Sequence, residues 1–346
     1  MSATPAISVV MAVYNGGGYL RAAIESILSQ TLGDFELIIV DDGSADESCA
    51  TIRSYADARV RFIEKPHAGL TAALNLGVAA AQGPLIARMD ADDISFPGRF
   101  AAQAGYLSAH PEVDVLCADA AIIDERGKVV GAHRMGNVNE RLLLDGLLNR
   151  ARFKPVIHPS VMMRRSVLEA LGGYRDYPCA EDQDLWLRAC GRFKFASIRQ
   201  ALLYYRIHAG GVSRARRATQ VTSGVMSAVN YYVRLETGVD LFVEQRELFE
   251  RFTQVTARHV AQELLPAQIA FGEARHKLRT QGVARGAVAL LKALGQHGPA
   301  ATPARFSREI GKLSRSLADE VCSEIAQLRA DDSPTAGVAE TAARGG

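Results

Sequence analysis

The sequence predicts an α/β fold: a mixed, mostly parallel sheet flanked by helices, with a helical extension on its C-terminal side. Three observations carry that prediction. Through about residue 95, β-branched apolar runs alternate with stretches of helical spacing, the β-α-β pattern that builds parallel sheets covered on both faces. Most of these runs stop at asparagine, glycine or aspartate, as strands feeding loops do. From about residue 214 the composition shifts toward Ala, Arg, Gln and Glu with apolar residues at three- and four-residue spacing, which suits helices.

Taken in order, "ISVVMAV" at 7–13 reads as the first strand, ended by Tyr14, Asn15 and Gly16-Gly17-Gly18. Leu20, Ile24, Ile27 and Leu28 recur at helical spacing and predict a helix over 19–30. "FELIIVDD" supplies a second buried strand ending in Asp41 and Asp42. Ser44, with Glu47 three residues on, has capping-box spacing and predicts the start of the next helix. A strand at about 59–63, a helix at about 70–81 and the strand "LIARM", running into Asp90, continue the alternation. Pro97 suits the first turn of a helix over about 97–109, and "VDVLCADA" and "KVVGAH" read as strands. Within "HPSVMMRRSVLEALGGYRD", Ser166 and Glu169 offer a second capping box and Gly172-Gly173 a stop. A short helix begins near Glu181 in "AEDQDLWLRACG", with Leu185, Trp186 and Leu187 as core residues.

Within 305–329, Phe306, Ile310, Leu313, Leu317, Val321, Ile325 and Leu328 make an apolar stripe, with Arg305, Arg308, Lys312 and Arg315 around its first half. The expectation is packing against the domain or a partner subunit, with an interfacial membrane helix as the alternative. "DDSPTAGVAETAARGG" reads as a disordered tail.

Composition narrows the function. Forty basic and 38 acidic side chains leave a formal charge of +2, which gives no electrostatic footprint for nucleic acid. The five cysteines, Cys49, Cys117, Cys179, Cys190 and Cys322, lack C-x-x-C spacing, so they suggest neither a disulfide framework nor a zinc site and fit a reducing compartment. "MSATPAISVVMAVYN" lacks the regions of a signal peptide, and no apolar run approaches the roughly 18 to 20 residues of a membrane span. The expected location is cytoplasmic, with peripheral contact at the inner face of the membrane left open.

The chemistry concentrates at strand ends, where ligands sit in open α/β sheets. Tyr14, Asp42 and Asp90 to Asp93 all follow strands and are predicted to converge on one edge. In "ARMDADDISFPGRF", Asp90, Asp92 and Asp93 crowd three carboxylates into four positions. Taken alone, such a cluster is a solvated surface turn, because like charges this close repel and raise one another's pKa. Beside Asp42, and with few neutralising partners, it instead matches a hard divalent cation, Mn2+ or Mg2+. A cation there would stabilise charge on a departing diphosphate. Glu181-Asp182 offers a base for an incoming hydroxyl, the alternative being favourable charge at a helix N-terminus. A sugar joined to a nucleoside diphosphate is the substrate these parts suit.

These residues also resemble a known family. "ISVVMAVYNGGGYLRAAIESILSQTLGDFELIIVDDGSADES", "HAGLTAALNLGVAAAQGPLIARMDADDISFPGRF" and "AEDQDLWLR" are similar to the family 2 glycosyltransferases, inverting sugar transferases of the GT-A (nucleotide-diphospho-sugar transferase-like) fold, over roughly residues 6–210. The resemblance implies that Ala12 and Tyr14 border the nucleotide and that Asp42 contacts the base. It places Arg88 and Asp90 near the base and ribose, makes Asp92 the ligand of a metal bridging the diphosphate, and makes Asp182 the catalytic base. "YYRIHAGGVS" is similar to the YR-x-H element that closes many such domains. That similarity directs Arg206 and His208 toward the diphosphate or the metal, a core-satisfied histidine being the alternative for His208. Asp93 stays open between the metal and a cap on the following helix.

The organisation so implied is a GT-A domain over 1–213, a helical region over 214–330 and a tail over 331–346. The implied partners are a UDP- or dTDP-sugar donor and a saccharide or lipid-linked acceptor, with homo-oligomerisation through the C-terminal helices left open. No Q-x-x-R-W element and no flanking spans occur, which favours single-sugar transfer over processive synthesis. Two other readings compete. A sugar-phosphate nucleotidyltransferase would carry a Gly-rich loop followed by Arg and Lys for a triphosphate, whereas Gly16-Gly17-Gly18 leads into Tyr19 and Leu20. A non-catalytic nucleotide-sugar-binding scaffold would not need Asp90, Asp92 and Asp182 together.

Overall fold

A computed structural model describes residues 4–136, 138–149, 156–211, 215–266 and 303–331. The chain forms two units: residues 1–147 with 152–220, and residues 148–151 with 221–346.

In the first unit the described strands are β1 (Ile7–Val13), β2 (Phe35–Asp41), β3 (Val60–Glu64), β4 (Leu85–Asp90), β5 (Ile94–Ser95), β6 (Val115–Ile123), β7 (Val129–His133), β8 (Met162–Arg164) and β9 (Phe195–Arg206). They form one sheet in the order β3-β2-β1-β4-β8-β6-β9-β5, with β7 paired to β6. β1 to β4 run parallel, as the alternating pattern requires. β8 pairs antiparallel with both β4 and β6, and β6 lies parallel to β9. The helices are α1 (Leu20–Leu28), α2 (Ser48–Arg53), α3 (Leu70–Ala80), α4 (Arg99–Ala109), α5 (Glu140–Asn149), α6 (Arg165–Leu171) and α7 (Glu181–Ala189).

β2 is buried along its whole length and β1 at all but Ala12, because helices cover both faces. Val9, Met11, Leu37, Ile39, Ala87 and Met89 pack on one face against Leu20, Ile24 and Ile27 of α1 and Phe100 and Leu107 of α4. On the other face α3 lies so close that a Cβ on Gly77 would sit 2.6 Å from Val10 Cγ1. That approach admits no larger residue without displacing the helix from β1.

Most predicted elements appear within about two residues of their expected bounds, and Gly172 ends α6 in the left-handed region at φ 69°. The local signals at helix starts fare worse. Neither capping box forms: the Ser44 hydroxyl accepts a bond from the Asn15 N–H at 2.8 Å, and α2 starts later, after Glu47. Ser166 lies inside α6, while Glu169 pairs with Arg165 at 3.0 Å. Pro97 precedes Gly98, the residue that opens α4. β8, a three-residue strand between β4 and β6, was hidden in the string read as leading into a helix.

The second unit holds the helix Arg217–Thr237 from Val221 onward, and helices at Leu241–Glu244, Arg246–His259 and Pro303–Asp331. Ile310, Leu317, Val321 and Ile325 of the predicted stripe are buried, and Leu328 is exposed. The side chains of Arg305 and Phe306 and the tail beyond Asp331 lie outside the described residues. Arg315 pairs with Glu236 and lies over the Tyr232 ring, and Arg251 pairs with Glu324. Those pairs join the long helix to the two major helices before it. No helix among the described residues is long and apolar enough to cross a membrane.

Candidate active site

The predicted convergence of strand ends holds. Val13 lies opposite Asp41, and Ala12 opposite both Val40 and Asp90, so β1, β2 and β4 end at one level. Beyond β1 the chain turns at Asn15, whose φ of 52° is left-handed. The N–H groups of Gly16 and Gly17 donate to Ser48 Oγ and Asp46 Oδ2 at 2.9 Å each, and the Ala45 N–H donates to Asn15 Oδ1 at 2.9 Å. Those two glycine N–H groups are spent on the neighbouring loop, so they cannot cradle a triphosphate as the nucleotidyltransferase reading needs. Tyr14 emerges exposed beside His67, their ring centroids 4.3 Å apart.

Asp42 is buried, and its carboxylate takes bonds from Lys65, from the N–H groups of Ala68 (2.9 Å) and Gly69 (2.8 Å), and approaches His67 Nδ1 at 2.8 Å. Burial alone would raise this carboxyl, but Lys65 and the two N–H groups outweigh it and hold the pKa below the ordinary value. Asp42 therefore organises the 65–69 loop. Gly43, at φ 80°, is required there, since a Cβ would meet the His67 backbone nitrogen at 2.8 Å.

Asp90, Asp92 and Asp93 bring one carboxylate oxygen each within 4.8 Å of the others. The cluster is better compensated than its sequence suggested, because Arg88, buried on β4, pairs with Asp90. Asp92 Oδ2 lies 2.9 Å from His208 Nε2. Asp93 does not cap α4. It is buried, and its Oδ1 accepts the Arg206 N–H at 2.8 Å, tying the turn to β9, while Oδ2 has no partner among the described residues. Burial, together with Asp90 and Asp92, pushes the Asp93 carboxyl well above the usual range. Three carboxylates, one of them with a buried orphan oxygen, and an adjacent imidazole fit a hard divalent cation. Arg206, expected near the diphosphate, packs against this turn and bonds the Asp92 carbonyl at 2.8 Å.

Across the cleft, α7 begins after Ala180, a left-handed residue at φ 60°. Asp182 Oδ1 accepts the Gln183 N–H at 2.8 Å. Burial raises the Asp182 pKa, with the Gln183 N–H and Arg88 pulling the other way. Burial and the neighbouring Asp182 push Glu181 to about 7. Behind them, His158 Nδ1 lies 3.8 Å from Glu181 and Nε2 lies 2.8 Å from the Tyr174 hydroxyl. Burial, then Arg88, depresses the His158 pKa far below an ordinary imidazole, so it is neutral. His158 and Tyr174 went unnoticed in the sequence, where only the string "HPS" hints at them. Arg88, Asp90, Asp92, His158, Glu181, Asp182, Arg206 and His208 line one open cleft of about 330 Å3. Ala12, Tyr14 and Asp42 sit further along the same sheet edge, outside that lining.

A sheet of this order, with an aspartate turn at the end of β4, defines the GT-A class of glycosyltransferases. Solved structures show the same fold: S. aureus TarS 1-349 in complex with UDP-GlcNAc aligns at a TM-score of 0.54 with 15% identity, covering 92% of both chains. The mannosyltransferase PcManGT from Pyrobaculum calidifontis, in complex with GDP-Man and Mn2+, aligns at 0.52 with 16% identity over 91% of this chain and 87% of that one. The family model for Glycosyl transferase family 2 matches residues 8–172. WbnJ, an O-antigen biosynthesis glycosyltransferase of Escherichia coli, is 31% identical over 70% of this chain and 91% of its own. EpsE of Bacillus subtilis is 38% identical over 54% of this chain and 68% of its own. The chain belongs to glycosyl transferase family 2, and it is a glycosyltransferase.

Proposed function

We propose that the protein moves a single sugar, with inversion, from a nucleoside-diphosphate donor to a hydroxyl acceptor in polysaccharide or glycoconjugate assembly, and that a divalent cation is required. The observation that carries this reading is the shared cleft, whose lining brings together the aspartate turn after β4 and the Glu181-Asp182 pair at the start of α7. The O-antigen role named for WbnJ supports the pathway class, and the UDP-GlcNAc and GDP-Man complexes of the fold relatives support the donor class.

In this reading Tyr14 and Ala12 border the nucleobase, and Asp42 acts there through the loop it holds. Arg88 and Asp90 lie on the ribose side. Asp92, with His208, would hold the cation, whose chemistry is Lewis-acid stabilisation of the departing diphosphate. Asp182 takes the proton of the acceptor hydroxyl as that oxygen attacks the anomeric carbon from the face opposite the diphosphate. One displacement with one base inverts configuration. Burial makes Asp182 a stronger base than a solvated carboxylate, and a neutral His158 behind Glu181 adds no positive charge to oppose that.

The test is thermal stabilisation and donor hydrolysis with UDP-, dTDP- and GDP-sugars, with Mn2+ or with EDTA. The proposal expects one donor series to stabilise and turn over only with metal. Equal turnover in EDTA would remove the cation from the account, and binding without any turnover or transfer would favour a scaffold.

A further inference from the structure

The sheet edge contains a contact that no sequence motif announces. Tyr19, immediately before α1, lies under the Arg206 guanidinium, whose central carbon is 4.4 Å from the ring centroid. The same ring meets His208 edge-on at 5.0 Å. Arg206 is buried at the end of β9, and its bonds are distributed over two loops. Its backbone N–H donates to Asp93 Oδ1, Nε donates to the Asp92 carbonyl, and Nη1 donates to the carbonyls of Asp124 (3.0 Å) and Glu125 (3.3 Å) in the turn between β6 and β7. Asp92 is thus gripped twice, at its carbonyl by Arg206 and at its carboxylate by His208.

We propose that Tyr19 and Arg206 form a staple that sets the position of Asp92 and thereby the affinity for the cation, with Arg206 a positioning residue rather than a ligand of the diphosphate. This rests on the reading of Asp92 as a metal ligand. A group that binds phosphate directly needs donors to spare, and two of the three guanidinium nitrogens are spent on carbonyls. The planar fork matters, because a lysine ammonium presents its donors from one point and cannot bridge the two turns. Tyr19 completes the device by holding the guanidinium plane from below, a cation–π contact that favours the charged group where it already lies.

The experiment measures two affinities for wild type, Arg206→Lys, Tyr19→Leu and Tyr19→Phe. One is for the nucleoside diphosphate (UDP, dTDP or GDP) that most raises the wild-type Tm, measured without metal. The other is for Mn2+ in its presence, followed by the electron paramagnetic resonance of free Mn2+. Groups that orient metal ligands typically contribute about 10- to 100-fold to metal affinity. The staple therefore predicts a loss of that order for Arg206→Lys and a smaller one for Tyr19→Leu. Tyr19→Phe, which keeps the ring, should match wild type, and metal-free nucleotide affinity should hold in all three. Tyr19→Leu guards against a simple folding failure of Arg206→Lys, and circular dichroism confirms the fold of each. Loss of metal-free nucleotide affinity in Arg206→Lys with Tyr19→Leu unaffected would overturn the staple in favour of direct phosphate binding. Unchanged Mn2+ affinity in both variants would overturn it outright. A wild type that binds no Mn2+ would instead remove the metal reading beneath it.

Discussion

Glu181→Gln should make the protein more stable at pH 8 and leave it unchanged near pH 4.5. The folded chain binds the Glu181 proton more tightly than the unfolded chain does, because burial and then Asp182 raise its pKa from 4.5 to about 7. Its contribution to stability is therefore fully present below about 4.5 and lost as pH rises through about 7. At about 1.4 kcal/mol for each tenfold in proton affinity, ionised Glu181 costs the folded state about 3 kcal/mol at pH 8. Glutamine keeps the size and removes the charge. Glu181 lies in the first unit, and for a folding unit of roughly 200 residues each kcal/mol moves the melting temperature by about 2–4 °C, so the variant should gain on the order of 6–12 °C at pH 8. Thermal melts of wild type and variant in EDTA at pH 4.5 and pH 8 decide it. An equal gain at both pH values, or a loss at pH 8, would refute the claim that this carboxylate is strained by its burial.

Two further outcomes follow from the same geometry. Arg88→Met removes a cation that opposes the burial-driven rise of the Asp182 pKa, so the acid limb of the pH-rate profile should move to higher pH. An unmoved limb would detach Arg88 from the base. Gly43→Ala places a side chain at φ 80° against the His67 backbone. It should lower stability by about 1–3 kcal/mol in denaturant melts and weaken nucleotide binding through the 65–69 loop, and a neutral result would show that the loop can shift freely.

What the sequence revealed and what it withheld divide along physical lines. The strands of the parallel half and their helices were legible because each is a local pattern: β-branched runs, helical spacing, a glycine stop. The aspartate turn and the Glu181-Asp182 pair were legible as residue types at strand and helix ends. Long-range partners were not. The Ser44 hydroxyl, four positions before α2, is taken by the Asn15 N–H, and a capping-box pattern cannot show that competition. Asp93 bonds a residue more than 100 positions away in β9, a partner that its local register, open between the metal and a helix cap, could not show. Arg88 was visible, but its burial against Asp90 was not. His158 and Tyr174 gain meaning only when the fold sets them behind Glu181.

The central claim is that Asp182 removes the acceptor proton while the aspartate turn serves the donor. Asp182→Asn, assayed for transfer with the donor and metal that stabilise the wild type, tests it most directly. The account predicts an unchanged donor-induced rise in Tm and a fall in turnover of about 10^2- to 10^4-fold, the usual contribution of a general base. Turnover near the wild-type rate would contradict it.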